Sequence, residues 1–168
     1  MRVIAISDSH GSRANVNDAL VMAQQRGKID ACVFLGDGLR DYEDAKPILR
    51  AENLDILLYA VRGNCDLGAF DAPLTEVFTL AGCRFFATHG HAYGAKHGME
   101  RLFFAAREEQ AKVCLFGHTH YPMLERQHDV LFLNPGSVAE RRAGRPAYAE
   151  IKVDQYGEPH GDLINWLE

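Results

Sequence analysis

The chain is poor in the features that mark specialised proteins. Its 168 residues include 6 Pro and 1 Trp, with no Gly/Ser or Pro-rich tract, so linkers, collagen-like segments and low-complexity regions are excluded. The four cysteines, Cys32, Cys65, Cys83 and Cys114, form no C-x-x-C pair, which argues against a disulfide scaffold or a thiolate zinc site. Three of them lie inside apolar runs, where a thiol behaves as a small hydrophobe; reduced thiols are expected. Long apolar runs are also missing. The earliest, Val3 to Ile6, stops at Ser7 and Asp8, too short for a signal-peptide core or a membrane span. Basic charge is in deficit, with 18 Lys and Arg against 23 Asp and Glu and a formal net charge of -5. A surface that displaces counterions from long nucleic acids is therefore not expected. These absences point to a cytoplasmic protein without a membrane or long nucleic-acid partner.

What remains is an ordinary globular composition, 47% hydrophobic and 24% charged, long enough to bury roughly 70% of the unfolded surface. Residues 1–168 are expected to form a single domain. Strand and helix alternate through the first half. Met1 to Ser7 reads as a strand, followed by a helix from about Arg13 to Arg26, capped by Ser12, with Val16, Leu20 and Ala23 on one face and Gly27 at its end. Ala31 to Leu35 is a second buried strand. Asp41 to Glu52 reads as a short or irregular helix starting near Pro47, and Asp55 to Val61 as a third strand. Thr75 to Leu80, Ala81-Gly82 and Cys83 to Thr88 predict a β-hairpin. His97 to Ala111 predicts a helix whose apolar face, Leu102, Phe103 and Ala106, belongs to the core, and Val113 to Phe116 a further buried strand. From Met123 onward the pattern is mostly antiparallel strand, with turns at Asp129, Arg142 to Pro146 and Gln155 to Gly157. The expected class is α/β.

The apolar strands end in short polar clusters: Asp8-Ser9-His10, Gly36-Asp37, Gly63-Asn64-Cys65-Asp66, His89-Gly90-His91 and Gly117-His118-Thr119-His120. Five of the eight histidines fall there. Any one cluster is weak, since a lone Asp-x-His or His-x-His is more often solvated or satisfied in a core; five in register with buried strands are hard to attribute to chance. The carboxyl ends of strands are where an α/β sheet opens its crevice. In extended chain, residues i and i+2 share a side, so Asp8 with His10, and His118 with His120, can each offer two side chains to one centre. The donors are imidazole, carboxylate and one amide. That set suits Mn, Fe, Zn or Ni ions, with Mn preferred, and seven donors suit two adjacent ions better than one with an open position.

The ordered series D-S-H, G-D, G-N-C-D, T-H-G-H, G-H-T-H and N-P-G-S (Asn134 to Ser137) resembles the calcineurin-like metallophosphoesterases, and within them the small bacterial and archaeal branch of YfcE-type phosphodiesterases. The resemblance runs from Asp8 to Ser137. It implies two packed mixed β-sheets flanked by helices, with a dinuclear metal centre at the strand ends. Carried over by position, it implies Asp8, His10 and His120 on one metal, Asn64, His89 and His118 on the other, and Asp37 bridging them. In such centres the ions lie about 3.5 to 4 Å apart and yield a bridging hydroxide near neutral pH that attacks phosphorus in line. Asn64 and His91 would meet substrate; Ser9 and Cys65 need not act as nucleophiles.

Many relatives carry His after this Asn, where it assists the leaving group; here the residue is Cys65, a poorer acid with a reference pKa of about 8.5. Catalytic assistance therefore rests among Asn64, Cys65 and His91, the last placed either at the substrate or behind a ligand as a hydrogen-bond donor. Charge counting favours a diester: with two divalent ions, Asp8, Asp37 and a hydroxide, a single positive charge remains, which a diester monoanion neutralises and a monoester dianion overshoots. Arg13, Arg62, Arg141, Arg142 and Arg145 lie near these loops in sequence, most of them expected in solvent. His97, His128 and His160 are expected at the surface, Asp66 to hold a neighbouring ligand, and Asn134 with Ser137 to shape the loop beneath the site. The expected function is a metallophosphodiesterase acting on a small molecule. The alternatives are a phosphomonoesterase and, since a retromer subunit shares the fold, a non-catalytic metal-binding scaffold, for which retention of every ligand speaks poorly. Substrate choice is left to the loops Leu67 to Pro73 and Ala92 to Gly98. Strand Val130 to Asn134 and the tail could present an edge to a second copy.

Overall fold

The computed structural model describes residues 1–139 and 146–165. The elements run β1 (Arg2–Ile6), α1 (Arg13–Gln25), β2 (Ala31–Phe34), α2 (Leu39–Glu52), β3 (Leu57–Ala60), β4 (Thr75–Leu80), β5 (Cys83–Thr88), a single 3₁₀ turn (His91–Tyr93), α3 (Glu100–Glu108), β6 (Val113–Leu115), β7 (Met123–Gln127), β8 (Val130–Asn134), β9 (Ala147–Val153) and β10 (Pro159–Asn165). They form two five-stranded mixed sheets, ordered β10-β9-β1-β2-β3 and β4-β5-β6-β8-β7.

Strand alternation creates three apolar layers. Val3, Ala5, Ala31, Val33, Phe85, Ala87, Val113, Leu115, Leu131 and Leu133 fill the space between the sheets, where Tyr59 stacks on Phe78 at 3.8 Å and Phe78 on Phe85 at 5.1 Å. The intervening residues point the other way, as a period of two requires. Ile4, Ile6, Cys32 and Phe34 meet Val16, Leu20, Tyr42 and Leu49 of α1 and α2, while Phe86, Cys114, Phe116 and Phe132 meet Leu102 and Ala106 of α3. The two sheets flanked by helices are thus as expected. Cys32, Cys83 and Cys114 are buried and Cys65 is exposed, all as free thiols. No helix among the described residues is long and apolar enough to cross a membrane.

Several expectations are corrected. Ser12 occupies the N-cap of α1 without a capping side-chain hydrogen bond. Helix α2 begins at Leu39, well before Pro47, which lies inside it. Its start is set from a distance: the Asp66 carboxylate accepts the Gly38 and Leu39 N–H groups at 2.8 and 2.9 Å, satisfying amides that a helix leaves open. Helix α3 begins three residues later than expected, at Glu100, because Gly98 adopts a φ of 156° outside the helical range. The hairpin turn has φ of 48° at Ala81 and 79° at Gly82, the left-handed pair a two-residue hairpin favours. Strand β8 is flanked by β6 and β7 and so offers no edge; the tail does, through β10. Apart from Pro146, the turn expected at Arg142 to Pro146, with Arg141 and Arg145, lies outside the described residues.

The sheets repeat one device. Parallel strands β1-β2-β3 in one and β5-β6-β8 in the other aim their carboxyl ends at the same end of the sandwich. The exit loops meet there through Asp8 N–H to Gly36 O, His10 N–H to Asp37 O and Gly117 N–H to His89 O, each 3.0 Å.

Candidate metal centre

The backbone leaving these strands is turned sharply. Asp8, His10, Asp37, His118 and His120 have φ of 57°, 45°, 58°, 64° and 64°, a left-handed region uncommon outside glycine and typical of sites where packing enforces strain. Two glycines are needed for proximity. A Cβ on Gly63 would lie 2.0 Å from Asp37 Oδ1, and one on Gly117 2.0 Å from Ser7 Oγ and 2.8 Å from Asp8 Oδ2.

Each carboxylate has one oxygen tied down and one turned inward. Asp8 Oδ2 accepts the Ser7 hydroxyl at 2.5 Å and the His118 N–H at 3.0 Å. Asp8 Oδ1 faces His120 Nε2 at 3.0 Å, His10 Nε2 at 3.8 Å and His89 Nε2 at 4.0 Å. Asp37 Oδ1 accepts the Cys65 N–H at 2.7 Å, leaving Oδ2 toward His89 Nε2 at 3.4 Å and His10 Nε2 at 3.9 Å. His89 is fully buried, and its Nδ1 lies 2.6 Å from the Leu35 carbonyl; donating there, it leaves the Nε2 lone pair directed at the carboxylates. His10 Nε2 and His120 Nε2 are 3.2 Å apart.

Three overlapping groups of donor atoms result, each within 4.8 Å: Asp8 with His10 and His120, Asp8 with Asp37 and His89, and His10 with Asp37 and Cys65. Buried lone pairs on Asp8 Oδ1 and His89 Nε2 have no hydrogen-bond partner. Unpaired polar atoms in a low-dielectric site are costly, and a cation bound by oxygen and imidazole nitrogen removes that cost. The donor set therefore fits divalent ions. The same imbalance acts on the protons. Burial pushes the Asp37 carboxyl up, but His89 and the Cys65 N–H more than offset it and hold it well below the usual range. Burial pushes His89 down, and Asp37 with Asp8 outweighs it and raises it. His118 is lowered to about 4, by burial and then by positive charge on His89 and Lys96, so its lone pair is free at neutral pH.

Five of the seven expected metal ligands thus converge: Asp8, His10, Asp37, His89 and His120. His118 joins none of the three groups; its ring centroid is 5.1 Å from that of His89. Asn64 is exposed and donates from its amide to Cys65 Sγ at 3.3 Å. Cys65 is exposed rather than packed, its pKa pushed up to about 11 by burial of its surroundings and by Asp37. His91 lies beside His89 and His118, ring centroids 5.4 and 6.1 Å away, and its buried Nδ1 has no hydrogen-bond partner, so it does not orient a ligand through that atom. Arg62 stacks on Phe70 at 5.6 Å, while Arg13 pairs with Asp44 at 3.0 Å away from the cluster. His97, His128 and His160 are exposed.

Asp66 holds the Asp37 loop, accepting the N–H groups of Asp37 at 2.7 Å and Gly63 at 2.8 Å. Asn134 donates to Gly117 O at 2.9 Å, and Ser137 Oγ to Asp8 O at 2.7 Å. Two supporting residues escaped sequence reasoning. Ser7 orients Asp8 as above, and Asp41 Oδ2 accepts the Ser9 hydroxyl at 2.6 Å and the Gly11 N–H at 2.9 Å, fixing the loop that carries His10. The one available signal for Asp41 was an acid in the first turn of a helix.

The family model for the calcineurin-like phosphoesterase superfamily domain matches residues 1–156. The chain belongs to this superfamily. It is 32% identical to the probable metallophosphoesterase YsnB of Bacillus subtilis over 98% of both chains, and 32% identical to the phosphodiesterase YfcE of Escherichia coli over 98% of this chain and 90% of that one. A conserved Streptococcus pneumoniae protein, a predicted phosphoesterase, superposes with a TM-score of 0.73 at 28% identity, covering 97% of this chain and 96% of the other. The superfamily's fold and the donor cluster coincide at one end of the sandwich.

Proposed function

We propose that the chain is a single-domain, metal-dependent phosphodiesterase of small molecules, holding two divalent ions, Mn²⁺ by preference. Asp8, His10 and His120 would ligate one, Asn64, His89 and His118 the other, with Asp37 between. The observation that carries this reading is the convergence of Asp8 Oδ1, Asp37 Oδ2 and the His89 and His120 Nε2 atoms on one small volume. Relatives named phosphodiesterase and metallophosphoesterase support it. When bound, the ions supply Lewis acidity toward the phosphoryl oxygens and lower the pKa of water.

The chain's own residues do the rest. Asp8 and Asp37 keep one oxygen inward because Ser7, His118 N–H and Cys65 N–H hold the other. The His89 tautomer is set by Leu35 O. His91, its pKa lowered by burial and by charge on His89, is neutral near pH 7 and able to offer an N–H to substrate, as is the Asn64 amide. Two divalent ions, two carboxylates and a hydroxide nucleophile would leave a single positive charge, which suits a diester monoanion. A cytoplasmic location accompanies this reading.

Chelator-stripped protein is assayed on bis(4-nitrophenyl) phosphate with and without Mn²⁺, with bound metal counted separately. Hydrolysis that appears with metal at about two ions per chain supports the proposal. Two bound ions without hydrolysis of diesters or monoesters would overturn it and favour the scaffold.

A further inference from the structure

A cavity of about 600 Å³ adjoins the metal centre, lined on one side by Ala95, Lys96 and Met99 and on the other by Phe116, Thr119 and Tyr121 to Met123. Each wall carries a residue that lies next to the centre. Thr119 stands between His118 and His120, and a Cβ on Gly90, between His89 and His91, would lie 3.1 Å from that of Ala95. The floor is apolar, made by Met99, Phe116, Pro122 and Met123. At the rim, Tyr121 is 65% exposed, yet its backbone is braced: its N–H donates to Thr119 Oγ1 at 3.2 Å, which also accepts the Asn134 amide at 3.0 Å. An exposed aromatic on a pinned backbone is a preorganised contact surface. Lys96 is exposed, stands in the cavity wall and pairs with no carboxylate among the described residues.

These features select an occupant. Thr119 Oγ1 is already engaged, so a sugar or glycerol arm would find few polar partners, whereas a flat ring meets thioether, proline and aromatic surfaces. We propose that this cavity seats a planar aromatic arm of the phosphodiester whose phosphate lies at the Asp8 and Asp37 centre, with Tyr121 against the ring and Lys96 facing the phosphate's negative charge. The proposal rests on the phosphodiesterase reading and names its substrate class. Met99 and Met123 touch the ring only when the cavity is filled, which gives a direct probe.

The Mn²⁺-loaded protein is compared on 4-nitrophenyl diesters that differ in the retained arm: methyl, phenyl and thymidin-5′-yl. An aromatic arm is expected to lower KM about tenfold against methyl, the order expected for burying one ring face, and Tyr121→Ala is expected to bring that ratio near one. The phenyl and thymidinyl arms separate a simple aryl group from a nucleobase. In parallel, metal-free protein carrying ¹³C-methyl methionine is titrated with diphenyl phosphate. Shifts at Met99 and Met123, with Met1 and Met22 unmoved, are expected. Hydrolysis without arm preference, together with unmoved Met99 and Met123, overturns the cavity assignment while leaving the phosphodiesterase reading intact. Shifts at these methyls in a protein that hydrolyses no diester overturn the phosphodiesterase reading instead.

Discussion

A buried acid on β9 and a pair of buried acids past the strand ends of the same sheet are neutralised in opposite ways. On β9, opposite Ile4 of β1, Glu150 is 2% exposed and receives Arg2 at 2.7 Å, Lys152 at 3.1 Å and Arg26 at 3.6 Å. Arg2 also donates to the Gly27 carbonyl at 2.7 Å, so the charges are matched by the chain itself. Past the end of β1 and β2, Asp8 and Asp37 are equally buried, at 0% and 3%, but their inward oxygens face imidazole nitrogens. The first arrangement is complete and belongs to stability. The second has no Lys or Arg partner among the described residues, and in the proposed enzyme divalent ions would complete it. A buried acid is thus diagnostic of function when its compensating charge is missing from the sequence, rather than merely when it is buried.

The sharpest way to break this contrast is Asp37→Asn, which keeps an oxygen for the Cys65 N–H but removes the inward negative charge. Diester hydrolysis is expected to fall about 10³-fold or more, with metal analysis showing fewer bound ions. The metal-free variant should melt only slightly below the metal-free parent, since His89 and the Cys65 N–H favour the charge but no Lys or Arg among the described residues pairs with it. A large drop in its Tm would mean that Asp37 is structural like Glu150.

The converse substitution, Glu150→Gln, is expected to cost about 3 kcal/mol in denaturant unfolding, the low end for breaking a buried pair because Arg2 keeps Gly27 O. kcat in the folded fraction should be unaltered. The same carboxyl sets an acid limit. Arg2 holds Glu150 at about 2, against an ordinary 4.5. Its pKa is depressed in the folded state, so its stabilisation is present above about pH 4.5 and is lost as pH falls toward 2. Across that window the parent is expected to lose about 3 kcal/mol that Glu150→Gln does not lose. Parallel pH profiles for the two proteins would remove Glu150 from this role.

Much of this contrast was legible in the chain. Alternating residues such as Val3, Ile4, Ala5 and Ile6 disclose strands covered on both faces, and polar clusters following them disclose the site, because both signals are local. Features set by distant partners were not. The start of α2 depends on Asp66, which lies well beyond the end of that helix, and the role of Asp41 on Ser9 and Gly11. The interior place of β8 is a matter of strand order, which no window of residues encodes. Position 118 offered the right side chain, yet no window of residues shows that its ring lies 5.1 Å from that of His89.

The smallest expected effect concerns Cys65, whose Sγ shares a donor group with His10 and Asp37. At this position a thiol is a weak proton donor, and an imidazole of suitable pKa contributes on the order of 10²-fold to general acid catalysis when well placed. Position 65 is exposed, so a larger ring can be accommodated without repacking, but its orientation is not enforced by neighbours. Cys65→His is therefore expected to speed hydrolysis of a methyl ester leaving group by a more modest factor, about tenfold, and to leave nitrophenolate release unchanged, since that leaving group departs without a proton. A steeper gain as leaving-group pKa rises would assign position 65 to the leaving oxygen. Equal rates for both proteins across the series, at equal metal content, would instead place leaving-group assistance with His91.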